Sequence, residues 1–195
     1  MVSDKKIILA SQSPRRKELL EKCGISFEIM VTDADENVNE KIAPADFVSL
    51  ISKRKAQQAV DRCILENGKN IIIIAADTVV ALGNEIFGKP KDDHDAFVML
   101  KKLQGKSHFV YTGLTVAFID NENKVMFKED ICDTEVKFKA LIDYEILDYI
   151  ATGEPADKAG AYAIQGIAAQ FIENINGDYN NVVGLSTDRL LKMIN

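Results

Sequence analysis

The stretch NIIIIAADTVVAL at residues 70–82 runs through four isoleucines and two alanines before it reaches Asp77. A strand with one face in water alternates apolar and polar residues, so this unbroken first half predicts a strand buried on both faces. Such a strand needs helices on either side of its sheet, which confines the chain to an α/β architecture. Asp77 then stands near the point where the buried strand emerges, the place where ligands gather in open α/β sheets. It is a candidate general base or metal ligand, or else a structural carboxylate bonded to nearby backbone.

The remaining segments alternate around that strand. A first strand ends in Ile7, Ile8 and Leu9, and a helix starts after Ser13, an N-cap residue, with Pro14 preset for the first helical position. FEIMVT (27–32) reads as a strand, Pro44 to about Asn67 as a long helix, and GNE (83–85) as a tight turn into IFGKP. Asp92 to Leu103 suits a helix with acidic residues in its first turn. HFVYTGLTVAFID and KVMFKEDICDTEVKFKAL predict two long strands joined by the polar turn NEN. A short helix near 143–151, a Gly-rich stretch (153–166), a strand around QFIENI and a final helix from about Val182 complete the order. Early strand–helix units followed by long antiparallel strands give a mixed sheet with helices on its faces.

With 195 residues, 47% of them hydrophobic, the chain suits one domain or one domain with two lobes. Its net charge of −6 disfavours general attraction to nucleic acid or to an anionic membrane, so an anion must be captured locally. Cys23, Cys63 and Cys132 form no CxxC pair and read as buried thiols of a reducing compartment. MVSDKKIILA lacks the apolar core of a signal peptide and no run is long enough to span a membrane, so the expectation is a cytoplasmic protein.

Local capture of an anion has one clear candidate. LASQSPRRKELL sets Arg15 and Arg16 in the first turn of a helix, where unpaired N–H groups and the dipole already favour negative charge. The alternative is a surface pairing with Glu18 or Glu21, although cations in a first turn oppose the dipole. Lys55 follows Ile51 by one turn and sits at the margin of an apolar helical face, either solvated or reaching into a cleft. Lys89 lies in FGKP, a short loop stiffened by Pro90, with the same two readings. Asp33, Asp35 and Glu36 form an acidic cluster that is either a solvated loop or a source of oxygen ligands for Mg²⁺. The stretch GEPADKAGAYAIQG is either a flexible connection or a backbone brought close to a ligand, and its alanines and isoleucine argue for the latter. His94 and His108 stand alone, which disfavours a zinc site or a Ser–His–Asp triad, and neither GxxxxGK[ST] nor a usable GxGxxG occurs. Arginines, lysines and carboxylates remain, a set suited to metal-assisted chemistry on phosphates.

Five blocks in register, LASQSPRRKELL, AADTVV followed by GKP, YTGLTV, GEPADKAGAYAIQG and INGDYNNVVGL, resemble the Maf nucleoside triphosphate pyrophosphatases over essentially the whole chain. The resemblance implies one nucleotide pyrophosphatase domain over residues 1–195. Its fold would be an elongated mixed sheet flanked by helices, with two lobes and a central cleft, related to the inosine triphosphate pyrophosphatase architecture. It implies hydrolysis of a nucleoside triphosphate to the monophosphate and pyrophosphate with a divalent cation, Mg²⁺ or Mn²⁺. By the same resemblance Asp77 is the proton acceptor and a metal ligand. Ser11, Arg15, Arg16, Lys55 and Lys89 line the phosphate site, and Glu36 holds the metal or orients water. Arg15, Thr78 and Gln165 are similar to the subgroup acting on dTTP and UTP, whereas a second subgroup, with an aromatic residue, Gln and Glu there, prefers 7-methyl-GTP. A Gln amide both donates to a carbonyl and accepts from the ring N–H of uracil or thymine. The family name, taken from septum inhibition, carries an alternative: a nucleotide-binding regulator of cell division without turnover. The resemblance is also compatible with a homodimer.

Overall fold

The computed structural model describes residues 5–38 and 40–195. Strands β1 (Lys6–Leu9), β2 (Glu28–Ile29), β3 (Ile71–Leu82), β4 (Glu85–Phe87), β5 (Ser107–Ile119), β6 (Val125–Phe138) and β7 (Ile172–Asn176) form one sheet. Its order is β2-β1-β3-β5-β6-β7, with β4 paired to β3. β1 is parallel to β2 and β3, whereas β4 is antiparallel to β3 and β7 to β6, so the sheet is mixed as expected. The helices are α1 (Pro14–Lys22), α2 (Pro44–Leu65), α3 (Asp93–Leu103), α4 (Asp143–Ala151), α5 (Tyr179–Val183) and α6 (Thr187–Ile194). No helix among the described residues is long and apolar enough to cross a membrane.

The chain divides into two compact units. The first comprises Met1–Asp77, Thr112–Cys132 and Gly184–Asn195; the second comprises Thr78–Tyr111 and Asp133–Val183. β3, β5 and β6 each contribute residues to both.

In the first unit, β3 is covered as its sequence requires. Ile71, Ile73 and Ala75 join a core cluster with Ala56, Ala59, Val60 and Cys63 of α2, and Ile72 and Ile74, turned to the other face, are also fully buried. α2 lies so close to β5 that a Cβ on Gly113 would collide with the Val48 carbonyl oxygen. One turn further on, Ser52 Oγ and Thr115 Oγ1 share a buried hydrogen bond of 2.9 Å. Small side chains at Ala56, Ala59 and Gly113 therefore set the depth to which the helix beds into the sheet.

The second unit has its own core, built from Val80 and Phe87 of the β3–β4 hairpin, α3, α4 and the ends of β5 and β6. Aromatic rings fill much of it: Phe138 stands edge-on to Tyr162 at 4.8 Å and to His108 at 4.9 Å, and Tyr149 to Phe171 at 5.2 Å. His108, 1% exposed, bonds through Nε2 to Tyr162 Oη at 2.8 Å. Burial holds its pKa down to about 4, only partly offset by the Lys106 backbone, so the imidazole is a neutral core group.

Three expected elements differ. The strand expected over 27–32 reduces to Glu28–Ile29, because its partner β1 ends at Leu9 and offers only Ile8 and Leu9 for pairing. The Gly-rich stretch winds through two short 3₁₀ turns, Glu154–Asp157 and Ala159–Ala161, and a third over Ile167–Phe171 replaces the start of the expected strand at Gln170. The final helix is two helices, since Gly184 takes a φ of 130° between them, a backbone closed to ordinary L residues. Replacing Gly113 with Ala forces α2 off the sheet against a backbone oxygen that cannot rotate away. The substitution should cost about 3 kcal/mol, or roughly 6–12 °C in Tm for a chain of this size, measured by reversible thermal or urea unfolding.

Candidate active site

Ser13 caps α1 as its sequence predicts: its side chain accepts the Arg16 N–H, and Pro14 takes the first helical position. The loop before it folds back through Ser11, whose Oγ accepts the Ser13 N–H at 3.2 Å and Arg16 Nη1 at 3.2 Å. Arg16 is 9% exposed and donates through Nε to the Gly184 carbonyl at 2.8 Å. A first-turn guanidinium is thus turned inward and fixed at two points, and the break in the final helix supplies one of them. Desolvation lowers the Arg16 pKa and Asp77 works against that, so guanidinium and carboxylate feel one another's field. Arg15 beside it is half-buried. Of the two glutamates offered as alternative partners, Glu21 pairs with Lys17 at 3.7 Å.

Asp77 is 8% exposed at the last first-unit position of β3. Lys55 Nζ donates to its Oδ1 at 2.7 Å and also lies 2.7 Å from Glu36 Oε1, so one ammonium group bridges two carboxylates. The margin of the α2 apolar face therefore does deliver Lys55 into the site. Burial pushes the Asp77 carboxyl above its ordinary pKa, while Lys55 and Arg16 pull it back down and Glu36 adds to the rise. The result is a carboxylate that is short of solvent, held in one orientation and surrounded by fixed cations.

Glu36 is exposed, yet its loop is anchored to α2. Arg54 Nη1 donates to the carbonyls of Asp35 and Asn37, each at 2.9 Å, and Gln58 pairs with Asp33 through both side chain and backbone. Asp35 Oδ1 accepts the Asn37 N–H at 2.9 Å. Within the acidic cluster, Asp33 thus spends an oxygen on Gln58 of α2 and Asp35 one on Asn37 of the loop itself, and Glu36 is the one directed at Lys55. Arg54 and Gln58 were not legible as site supports, because nothing in the sequence pairs them with a loop some twenty residues upstream.

Ser11, Arg16, Glu36, Lys55 and Asp77 come together in the first unit, with Arg15 next to Arg16. Thr78, Lys89 and Gln165 belong to the second. Thr78 follows Asp77 in β3 and is half-buried; Lys89 and Gln165 are exposed. Gly160 N–H donates to the Gly88 carbonyl at 3.0 Å, which ties the loop of Lys89 to the segment that leads to Gln165. No group of three His, Cys, Asp or Glu side chains suited to a metal occurs among the described residues. Glu36 and Asp77, two hard oxygen donors sharing one small cation, do match Mg²⁺ or Mn²⁺, ions that combine one or two carboxylates with water and substrate phosphates rather than an all-protein cage.

The family model for the Maf-like protein matches residues 6–195. A protein of Thermoanaerobacter sp. (strain X514) named dTTP/UTP pyrophosphatase is 44% identical, with 97% of this chain and 95% of that protein covered. Two further proteins of the same name are each 46% identical. That of Bacillus cereus (strain G9842) covers 96% of this chain and 93% of its own, and that of Desulforamulus reducens 94% and 92%. Among solved structures the chain is similar to the Staphylococcus aureus Ham1 protein, 12% identical over 97% of each chain at a TM-score of 0.44, a distance at which nothing follows for this chain. Matched from Lys6 to its last residue, and at 44–46% identity to these relatives, the chain belongs to the Maf-like family.

Proposed function

We propose that this chain, as one domain over residues 1–195, hydrolyses dTTP and UTP to the nucleoside monophosphate and pyrophosphate. The observation that carries the reading is the buried Asp77 carboxylate held at 2.7 Å by Lys55 and within the field of Arg16, in a chain whose relatives bear that activity in their names. A carboxylate raised by burial is a better proton acceptor than a solvated one, and its orientation is fixed before substrate arrives.

In this reading Asp77 takes a proton from the water that attacks the α-phosphorus, and the bond from that phosphorus to the bridging oxygen breaks to release pyrophosphate. Arg15, Arg16, Lys55 and Lys89, with the Ser11 hydroxyl, neutralise the triphosphate and the charge that builds on the leaving group. Mg²⁺ or Mn²⁺, held by Glu36 and Asp77, supplies further neutralisation of the phosphate oxygens when bound. Arg15, Thr78 and Gln165 carry base recognition by family resemblance, and the Gln165 amide can meet both the carbonyl and the N–H of uracil or thymine. The same resemblance makes a homodimer the assembly to look for. The free thiols, Cys63 and Cys132 buried and Cys23 half-buried, suit the cytoplasmic location expected from the sequence.

Pyrophosphate release from dTTP, UTP, CTP, GTP and 7-methyl-GTP with Mg²⁺ or Mn²⁺ tests the reading. The expected order is dTTP and UTP first, with CTP and GTP roughly 5–150-fold lower in kcat/KM, because the wrong base leaves a hydrogen-bonding group unpaired. Preference for 7-methyl-GTP would move the chain to the other subgroup, and binding without turnover would leave a regulator. Asp77→Asn should lower kcat by about 10²–10⁴-fold with nucleotide affinity largely kept, as read by calorimetry beside the rate assay. Lys55→Met removes an attraction that holds the Asp77 carboxyl down. The acid limb of the pH–rate profile should then move to higher pH, and an unmoved limb would separate Asp77 from the rate.

A further inference from the structure

Glu154 has no part in the chemistry above, yet its carboxylate is among the most heavily engaged in the second unit. Oε1 accepts the Tyr149 hydroxyl at 2.9 Å, Oε2 accepts the Ile167 N–H at 2.9 Å, and Oε1 also lies 3.4 Å from the Ala168 N–H. The carboxylate sits against the bare α-carbon of Gly166, where any side chain would collide with it. Tyr149 is 2% exposed, and burial together with the Glu154 bond drives its pKa up, so the phenol stays protonated and donates. One buried hydroxyl thus aims a carboxylate at the backbone immediately after Gln165.

The other side of Gln165 is fixed as well. Gly160 bonds to Gly88 and lies so near Val80 that an added Cβ would meet its side chain at 2.9 Å. Tyr162 bonds to His108, and Ile164 is 7% exposed. Between these anchors only the Gln165 side chain is turned out to solvent. A flexible amide at the end of a mobile loop flips between donor and acceptor orientations without preference, whereas one whose backbone is held on both sides can present a single pattern.

We propose that Glu154, aimed by Tyr149, is a positioning residue for base selection: it fixes the backbone next to Gln165 so that the amide discriminates among bases. This rests on the reading of Gln165 as a base-recognising residue. Glu154→Gln keeps the shape but replaces one acceptor oxygen with an NH₂ that faces donors. It should lower the UTP:CTP ratio of kcat/KM by about 5–20-fold. The loss should appear mainly in KM for UTP, with kcat within about threefold of the wild type. Tyr149→Phe should move the ratio the same way by less, and it carries the test if Glu154→Gln does not fold.

The decisive comparison is the Gln165→Ala background, where Glu154→Gln should have no further effect on the ratio. A folded Glu154→Gln protein with an unchanged ratio, or an equal loss with and without Gln165, overturns the proposal. If Gln165→Ala alone leaves the ratio intact, Gln165 does not read the base and the proposal falls while the pyrophosphatase reading stands. If the wild type prefers another base, the substrate reading fails and the same comparison is made between its best and worst nucleotides. Should it release no pyrophosphate at all, the ratios are taken from Kd values.

Discussion

The close bed of α2 on the sheet is the contact on which the first unit depends. It is made by omission: no side chain on Gly113, only methyl groups at Ala56 and Ala59, and a hydroxyl pair at Ser52 and Thr115 where larger residues would hold the layers apart. Because the helix sits this deep, Lys55, one step off its apolar stripe, reaches Asp77 at the end of β3. The same helix carries Arg54 and Gln58 to the loop of Glu36. A packing decision made by the smallest residues thus sets the position of Lys55 and of the Glu36 loop beside Asp77.

That position has a thermodynamic cost. A carboxyl whose folded pKa stands above its unfolded value favours the fold most when it is protonated, below the unfolded pKa, and that contribution is lost as pH rises through the folded pKa. For Asp77 the direction is upward, with burial the largest cause, so its ionisation at neutral pH works against the fold. Lys55 and Arg16 recover part of this by attraction. The surrounding strands and helices, which are apolar and well buried, hold together a group that would be more comfortable in water.

The run of isoleucines in β3 was enough to foresee burial on both faces, and the Ser13–Pro14 pair enough to place the start of α1, because both signals are local. Asp77 at a strand end and Lys55 at the edge of a helical face were legible for the same reason, as period and position decide them. What the sequence did not carry were partners distant along the chain. Gly184 breaks the last helix and offers its carbonyl to Arg16, 168 residues away, and no pattern near either residue announces the other. The strand at 27–32 was legible but not its shortness, which is set by where β1 stops, and the role of Glu154 was not, because the N–H groups it accepts from lie thirteen and fourteen residues on, just past a glycine.

The His108–Tyr162 bond gives the second unit an anchor that does not respond to pH near neutrality. A histidine is the side chain most apt to gain charge between pH 5 and 8, and here one sits at the root of the segment that carries Gln165. Its confinement among Phe138 and Tyr162, with a pKa near 4, removes it from that range. The anchor of this segment is therefore electrically silent across that range, so its geometry does not follow the acidity of the surroundings through this imidazole.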